Sequence, residues 1–166
     1  MEHSHILIIL VKNASGVLSK VTGLFSRRGY NIRSLSVGET THSDISRITI
    51  EVAGDDSVLE QITKQLRKLI DVKKVRSIEP GSGVAKELVL AKVRAGTKDR
   101  AGIIELCDIF RAKIVDTGNR SLVIEMAGSP EKNEALLSLL KEYDIIEVSR
   151  TGITAVERGA QSIYDD

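Results

Sequence analysis

ILIILVKNASGVLSKVTGLFSRRG, residues 6–29, decides the fold. Ile6–Val11 is a continuous apolar run of strand length, as expected of a strand buried on both faces. Val17, Leu18, Val21, Leu24 and Phe25 then recur at helical spacing, and Gly29 is a suitable helix stop. Between them lies Asn13-Ala14-Ser15-Gly16, all small or polar. A strand therefore runs into a helix through a tight turn. Gly16 lets the chain turn, or lets a ligand approach the backbone, or both.

Working outward, NIRSLSVG (Asn31–Gly38) and ISRITIEV (Ile45–Val52) read as strands, with Ile48, Ile50 and Val52 alternating cleanly. Gly54-Asp55-Asp56 is a turn, and Ser57 with Glu60 reads as a capping box. Val58, Leu59, Ile62, Leu66, Leu69 and Ile70 form the stripe of the next helix, and Val72–Ile78 is a strand. The order is βαββαβ. EPGSG (79–83) interrupts the pattern as a linker. The order then repeats, although the two halves share little sequence. Glu87–Arg94 is a strand, Ile103–Phe110 a helix, and Ile114–Asp116 and Leu122–Met126 are short strands around TGNRS. Pro130 at the first helical position opens a helix with the stripe Ala135, Leu136, Leu139 and Leu140. Ile145–Val148 is a strand and Arg150–Gly159 a tail.

The expected fold class is α+β: two tandem ferredoxin-like βαββαβ domains, residues 1–78 and 84–166, joined by 79–83. Two helices cover one sheet face and leave the other open. In the first half that open face is expected to be apolar with few charges, which calls for a partner sheet or chain. A fragment ending at Ile78 is expected to fold alone, because its unit is complete.

The 42% apolar content is enough to build buried cores. With 24 basic and 23 acidic residues, no charge excess points to nucleic acid or an anionic membrane. No apolar run has bilayer-spanning length. MEHSHILIIL lacks the basic segment and cleavage site of a signal peptide, and a single cysteine suits a reducing compartment. The expectation is a soluble, cytoplasmic protein.

Constellations that carry chemistry are weak. His3 and His5 sit near a chain end and His42 in a turn, without CxxC or HxxxH, so the histidines read as solvated and no metal is expected. Cys107 lies on an apolar helix face and reads as packed. There is no G-x-S-x-G, no P-loop and no G-x-G-x-x-G, so no catalytic residues are assigned. The βαββαβ order also occurs in RNA-recognition modules, which stack bases on strand aromatics. Ile6–Val11 and Ile45–Val52 contain no aromatic residue. A copper-chaperone reading lacks CxxC.

The turn Asn13–Gly16 remains. In the plainer reading, Asn13 or Ser15 caps the helix and Gly16 permits the backbone. In the other, unpaired N–H groups and the positive end of the helix dipole receive a carboxylate. An asparagine amide can donate and accept, which suits a zwitterionic amino acid.

This turn resembles that of the ACT domain, a small-molecule-sensing module. More closely, NASGVL (Asn13–Leu18), GLFSRRGYNI (Gly23–Ile32), SLSVGET (Ser34–Thr40), SRITI (Ser46–Ile50) and EQITKQLRKLIDVKKV (Glu60–Val75) are similar to the small-subunit family of acetolactate synthase. ELVLAKVRA (Glu87–Ala95), IFRAKIVD (Ile109–Asp116) and SRTGI (Ser149–Ile153) continue the likeness into the second half. The resemblance implies a non-catalytic regulatory subunit in branched-chain amino acid biosynthesis. It implies a catalytic large-subunit partner that holds thiamine diphosphate, Mg²⁺ and FAD, with no cofactor in this chain. It implies feedback inhibition by valine or a related branched-chain amino acid, and a homodimer through the ACT domain. The effector then lies at the dimer interface. Asn13, Ser15, Gly16, Val17 and Leu18 of one chain face Asn31 and Ile32 of the other. The alternative is a free-standing amino-acid sensor serving a different partner. No helix-turn-helix is evident for direct DNA binding.

Overall fold

β1 (His3–Lys12) takes the centre of a four-stranded antiparallel sheet because its apolar run can be buried on both sides. The computed structural model describes residues 3–165. The first unit continues with α1 (Val17–Arg28), β2 (Ile32–Glu39), β3 (Ile45–Gly54), α2 (Asp56–Leu66) and β4 (Val72–Ile78), in sheet order β2-β3-β1-β4. Register pairs Leu7 with Ile50 and Ile9 with Ile48. These side chains, with Val11 and Val52, join Val17, Val21, Leu24 and Phe25 of α1 and Ile62 and Leu66 of α2 in one core. Gly29 stops α1 in the left-handed conformation, φ 68°, with its N–H donating to the helix's last carbonyls.

α2 departs from expectation at both ends. Asp55, not Ser57, is its N-cap: the carboxylate accepts from the Val58 N–H at 3.0 Å, while the Ser57 hydroxyl donates to it. The bonds from Ser57 and Val58 hold the Asp55 carboxyl below its usual range. The helix stops at Leu66, so Leu69 packs on the core from a turn and Ile70 is 89% exposed. Spacing alone extended the stripe across that break.

The second unit contains β5 (Gly83–Arg94), α3 (Arg100–Phe110), β6 (Lys113–Thr117), β7 (Ser121–Gly128), α4 (Pro130–Leu140), a 3₁₀ turn (Lys141–Tyr143) and β8 (Ile145–Arg150). Its strand order is β6-β7-β5-β8. Ser129 caps α4 by accepting from the Lys132 N–H. The buried face of α4 is Asn133, Leu136, Leu137 and Leu140, with the expected Leu139 turned out. Asn133 is 1% exposed, and its amide donates toward the Glu87 carbonyl, the Glu87 carboxylate and the Gly128 carbonyl.

The tail overturns the expected domain boundaries and the bare sheet face. Residues Ile153–Asp166 group with Met1–Val84, and only Ala85–Gly152 form the second unit. Gly83, the last residue of the expected linker, already opens β5. The tail contains a ninth strand, β9 (Thr154–Glu157), which pairs with β5, and the Arg158 N–H donates to Ser82. Strand alternation puts Ile6, Ile8, Leu10, Arg47, Thr49, Glu51, Lys74 and Arg76 on the sheet face away from the helices. That face is apolar along β1, with Ile78 beside Ile6, while Arg47, Lys74 and Arg76 put charge on its flanks. It is also covered. Ser36 donates to the Ile153 carbonyl at 2.8 Å, Arg47 to the Ala155 carbonyl, and Arg76 to both the Glu157 carboxylate and the Ser162 carbonyl. Ile8 and Leu10 are 1% and 3% exposed, and Ile153, Ala155 and Ile163 are buried with them. A fragment ending at Ile78 lacks this cover. The tail escaped a periodicity reading because only Ile153, Ala155 and Ile163 of it are buried apolar residues.

Candidate functional site

The start of α1 is built from the end of β1 and the loops beside it. The Lys12 N–H donates to Asp71 and the Asn13 N–H to Asp44, so the chain is pinned on both sides before it turns. The Asn13 side-chain amide donates to the Ser43 carbonyl at 2.9 Å. Its nitrogen is thus engaged in holding the β2–β3 turn, and Oδ1 is the atom left to accept from a ligand.

Gly16 is the N-cap of α1, with φ 83° and ψ −10°, and no side chain caps the helix. Neither Asn13 nor Ser15 fills the capping role that the plainer sequence reading gave them. Both are exposed. The left-handed conformation answers half of the question about Gly16: the turn needs it. A Cβ built there meets nothing within 4 Å, so the space in front of the helix start is open. The first intrahelical bond comes from the Lys20 N–H to the Gly16 carbonyl, and the Val17 N–H reaches back to Ala14. By position, the N–H groups of Leu18 and Ser19 point out of the helix start without an intrahelical acceptor. Val17 is buried in the core and Leu18 is 41% exposed. The Lys20 ammonium lies 2.9 Å from the Asp71 carboxylate and holds it below its ordinary range. The helix dipole gives this end a positive bias, while Lys20 is balanced by Asp71.

Asn31 and Ile32 are elsewhere. Ile32 pairs with Val52, and Val52 with His5. Lys12, beside the turn, pairs with Ile45. The two groups are therefore at opposite ends of the sheet, about 23 Å apart at ~3.3 Å per residue along β3. One chain does not bring them together. Asn31 is exposed and its carbonyl already accepts from Ala53 at 3.2 Å. Ile32 is half-buried against the core. β2, which they precede and begin, is an edge strand with no neighbour on its outer side.

Other chemistry is sparse among the described residues. No group of three or more His, Cys, Asp or Glu could hold a metal. His5, read from sequence as solvated, keeps only 15% of its side chain exposed and places Nε2 3.8 Å from Asp56. Cys107 is buried, and burial pushes its thiol up, away from a reactive thiolate. No described helix is long and apolar enough to cross a membrane.

Residues 7–74 match the family described as the AHAS small subunit-like ACT domain, and residues 86–159 the family described as the small subunit of acetolactate synthase. A Mycolicibacterium smegmatis protein named acetolactate synthase small subunit is 51% identical, covering 96% of this chain and 94% of the relative. The chain belongs to the acetolactate synthase small-subunit family. A Methanothermobacter thermautotrophicus protein named as a probable acetolactate synthase small subunit is 48% identical over 96% of each chain. The crystal structure of the acetolactate synthase small subunit from Thermotoga maritima superposes with a TM-score of 0.89, at 42% identity, covering 96% of this chain and 99% of that one. As a member of that family, the chain is a regulatory, non-catalytic component whose partner is a catalytic subunit. Its two family matches fall on the two βαββαβ repeats, and the second extends through β9.

Proposed function

We propose that this subunit activates its catalytic partner and makes it sensitive to a branched-chain amino acid bound between two ACT domains. The observation that carries the reading is the separation of the candidate residues. An open, uncapped helix start at Gly16 and the strand start at Asn31–Ile32 lie at opposite sheet ends in one chain. A two-fold pairing of β2 edges sets the helix start of one copy against the strand start of the other. The effector's carboxylate accepts from the N–H groups of Leu18 and Ser19 across the bare Cα of Gly16. Its ammonium donates to Asn13 Oδ1. The half-exposed Leu18, with Ile32 of the facing copy, flanks the branched side chain. Ser15, exposed in the turn, and Val17, anchored in the core, flank Gly16 and shape the site on either side of it.

In this reading thiamine diphosphate, Mg²⁺ and FAD serve the catalytic subunit, and this chain holds none of them. Inhibition requires the effector to bind two states of the holoenzyme unequally, because equal binding shifts nothing.

Sedimentation velocity and titration calorimetry with valine, leucine and isoleucine test this on the full chain. The expected result is a dimer that binds at least one of the three, with one site per helix start. A monomer that binds none contradicts it.

A further inference from the structure

We propose that Ile153–Asp165 is a coupling strap, docked on the open face of the ACT sheet, that transmits effector occupancy to the second unit. This rests on the effector reading above and deepens it by naming the mechanical link. The geometry is specific. Both backbone groups of Ile153 are held by β2: its N–H donates to Ser34 Oγ at 3.3 Å, and its carbonyl accepts from Ser36 Oγ at 2.8 Å. Ile153 follows directly on Gly152, where the second unit ends. Ser34 is two residues from Ile32, at the strand start proposed to close over the effector. A shift of β2 therefore acts on the residue directly after the exit of the second unit.

The strap is held along its whole length. Arg47 of β3 donates to Ala155. Arg76 of β4 pairs with Glu157 at 2.9 Å, with both side chains largely shielded from water. It also donates to the Ser162 carbonyl, and both Arg76 and Lys74 donate to the Asp165 carbonyl. Three strands thus grip one segment from the face opposite the helices. At the other crossing, Arg158 donates to Ser82, three residues before the second unit begins at Ala85. Ile153, next to the exit of the second unit, is held by β2, and Ser82, before its entry, is held by the strap. Ile8 and Leu10 beneath the strap are nearly inaccessible, so its seat is a packed surface rather than a loose contact.

The test uses the full chain assembled with its catalytic subunit. The variant Ser34→Ala/Ser36→Ala removes both hydroxyls without touching the helix start. Arg76→Gln loosens the strap from another strand, and Ser34→Thr/Ser36→Thr retains the hydroxyls. Three readouts are taken: trypsin cleavage after Arg158, valine binding, and inhibition of acetolactate formation by valine. In both loosened variants cleavage is expected to quicken roughly tenfold as the strap opens more often. Valine binding is expected to stay within about threefold, and the inhibition constant to rise roughly tenfold or more, as for a lost allosteric coupling. The threonine pair should behave as the parent. Cleavage that quickens while inhibition is unchanged overturns the coupling. Unchanged cleavage in both loosened variants overturns the docking. A parent complex that valine, leucine and isoleucine all fail to inhibit overturns the effector reading and the coupling with it, while the cleavage readout still reports the docked strap.

Discussion

Gly16 offers the sharpest perturbation, because its backbone and its surroundings make separate demands. At φ 83° a residue with a Cβ pays conformational strain of about 1–2 kcal/mol, although nothing within 4 Å would clash with the Cβ itself. Gly16→Ala should therefore lower the melting temperature by a few degrees for a backbone reason alone. Asparagine and aspartate tolerate the left-handed region better than alanine. They have the same shape and differ in charge. Aspartate also gains roughly 0.3–1 kcal/mol from the helix dipole, which offsets much of the strain. Gly16→Asp and Gly16→Asn should thus both fold, with the aspartate no less stable than the asparagine. Only the aspartate puts a second negative charge against the N–H groups proposed to hold the effector's carboxylate. The assay is acetolactate formation by the reconstituted complex over a range of valine, leucine and isoleucine. Melting and circular dichroism on each variant establish that it is folded. The account expects a folded Gly16→Asp complex to ignore all three amino acids. Full inhibition of that complex, at the concentrations that inhibit the parent, refutes the placement of the site. If Gly16 served the turn alone, inhibition would instead track melting temperature across the three variants.

Further outcomes follow from the packing. Ile8→Ala should cost about 2–4 kcal/mol in a melting experiment, as a core truncation, because the strap buries that side chain; a loss of a few tenths means the face is open in solution. Asn133→Ala should cost roughly 1–3 kcal/mol by removing the buried amide from which the Glu87 carbonyl and carboxylate and the Gly128 carbonyl accept, measured by chemical denaturation. Ser129→Ala should cost about 1 kcal/mol through the lost cap of α4. The carboxyls of Asp55, Asp71 and Glu134 are held below their ordinary range, by Ser57 and Val58, by Lys20 and by Arg150 respectively. Their stabilisation is complete above the unfolded carboxyl range near 4 and lost as pH falls through the depressed folded values. Melting temperature should therefore drop on acidification below about pH 4, and less so in Asp71→Asn.

How much of this was legible depends on what kind of signal each part leaves. The strands and helices of both repeats were readable because Leu7, Ile9, Ile48, Ile50, Ile103 and Leu136 keep strict periods against a core. Ends were less readable. Leu69 and Ile70 continue a helical spacing that the backbone abandons at Leu66, and apolar spacing carries no information about where hydrogen bonding stops. Asp55 lost to Ser57 as cap in the sequence reading because the capping-box pattern ignores which residue takes the extended backbone. The helix start was legible as Asn-Ala-Ser-Gly, but the side chains' duties were not. Asn13 turns to Ser43, a partner 30 residues away. The strap was the least legible part. Its grip comes from backbone carbonyls meeting Ser36, Arg47 and Arg76, and carbonyls have no sequence signature. The same three side chains read from sequence as ordinary polar positions on strands. The turn Asn13–Gly16 was legible as a candidate anion site, whereas Asn31 and Ile32 entered only through the resemblance, and the sheet register puts them at the opposite end of the sheet, so the proposed site needs a second copy.

The central claim is that this chain is a regulator that makes no product itself and controls a catalytic subunit. The most direct measurement is acetolactate formation from pyruvate by the catalytic subunit, with its cofactors, titrated with this chain and then with valine. The account predicts no acetolactate from this chain alone, a saturable rise in rate as it is added, and a fall in that raised rate with valine or a related branched-chain amino acid. Acetolactate made by this chain alone, or a catalytic rate that saturating amounts of it leave unchanged, would contradict the account.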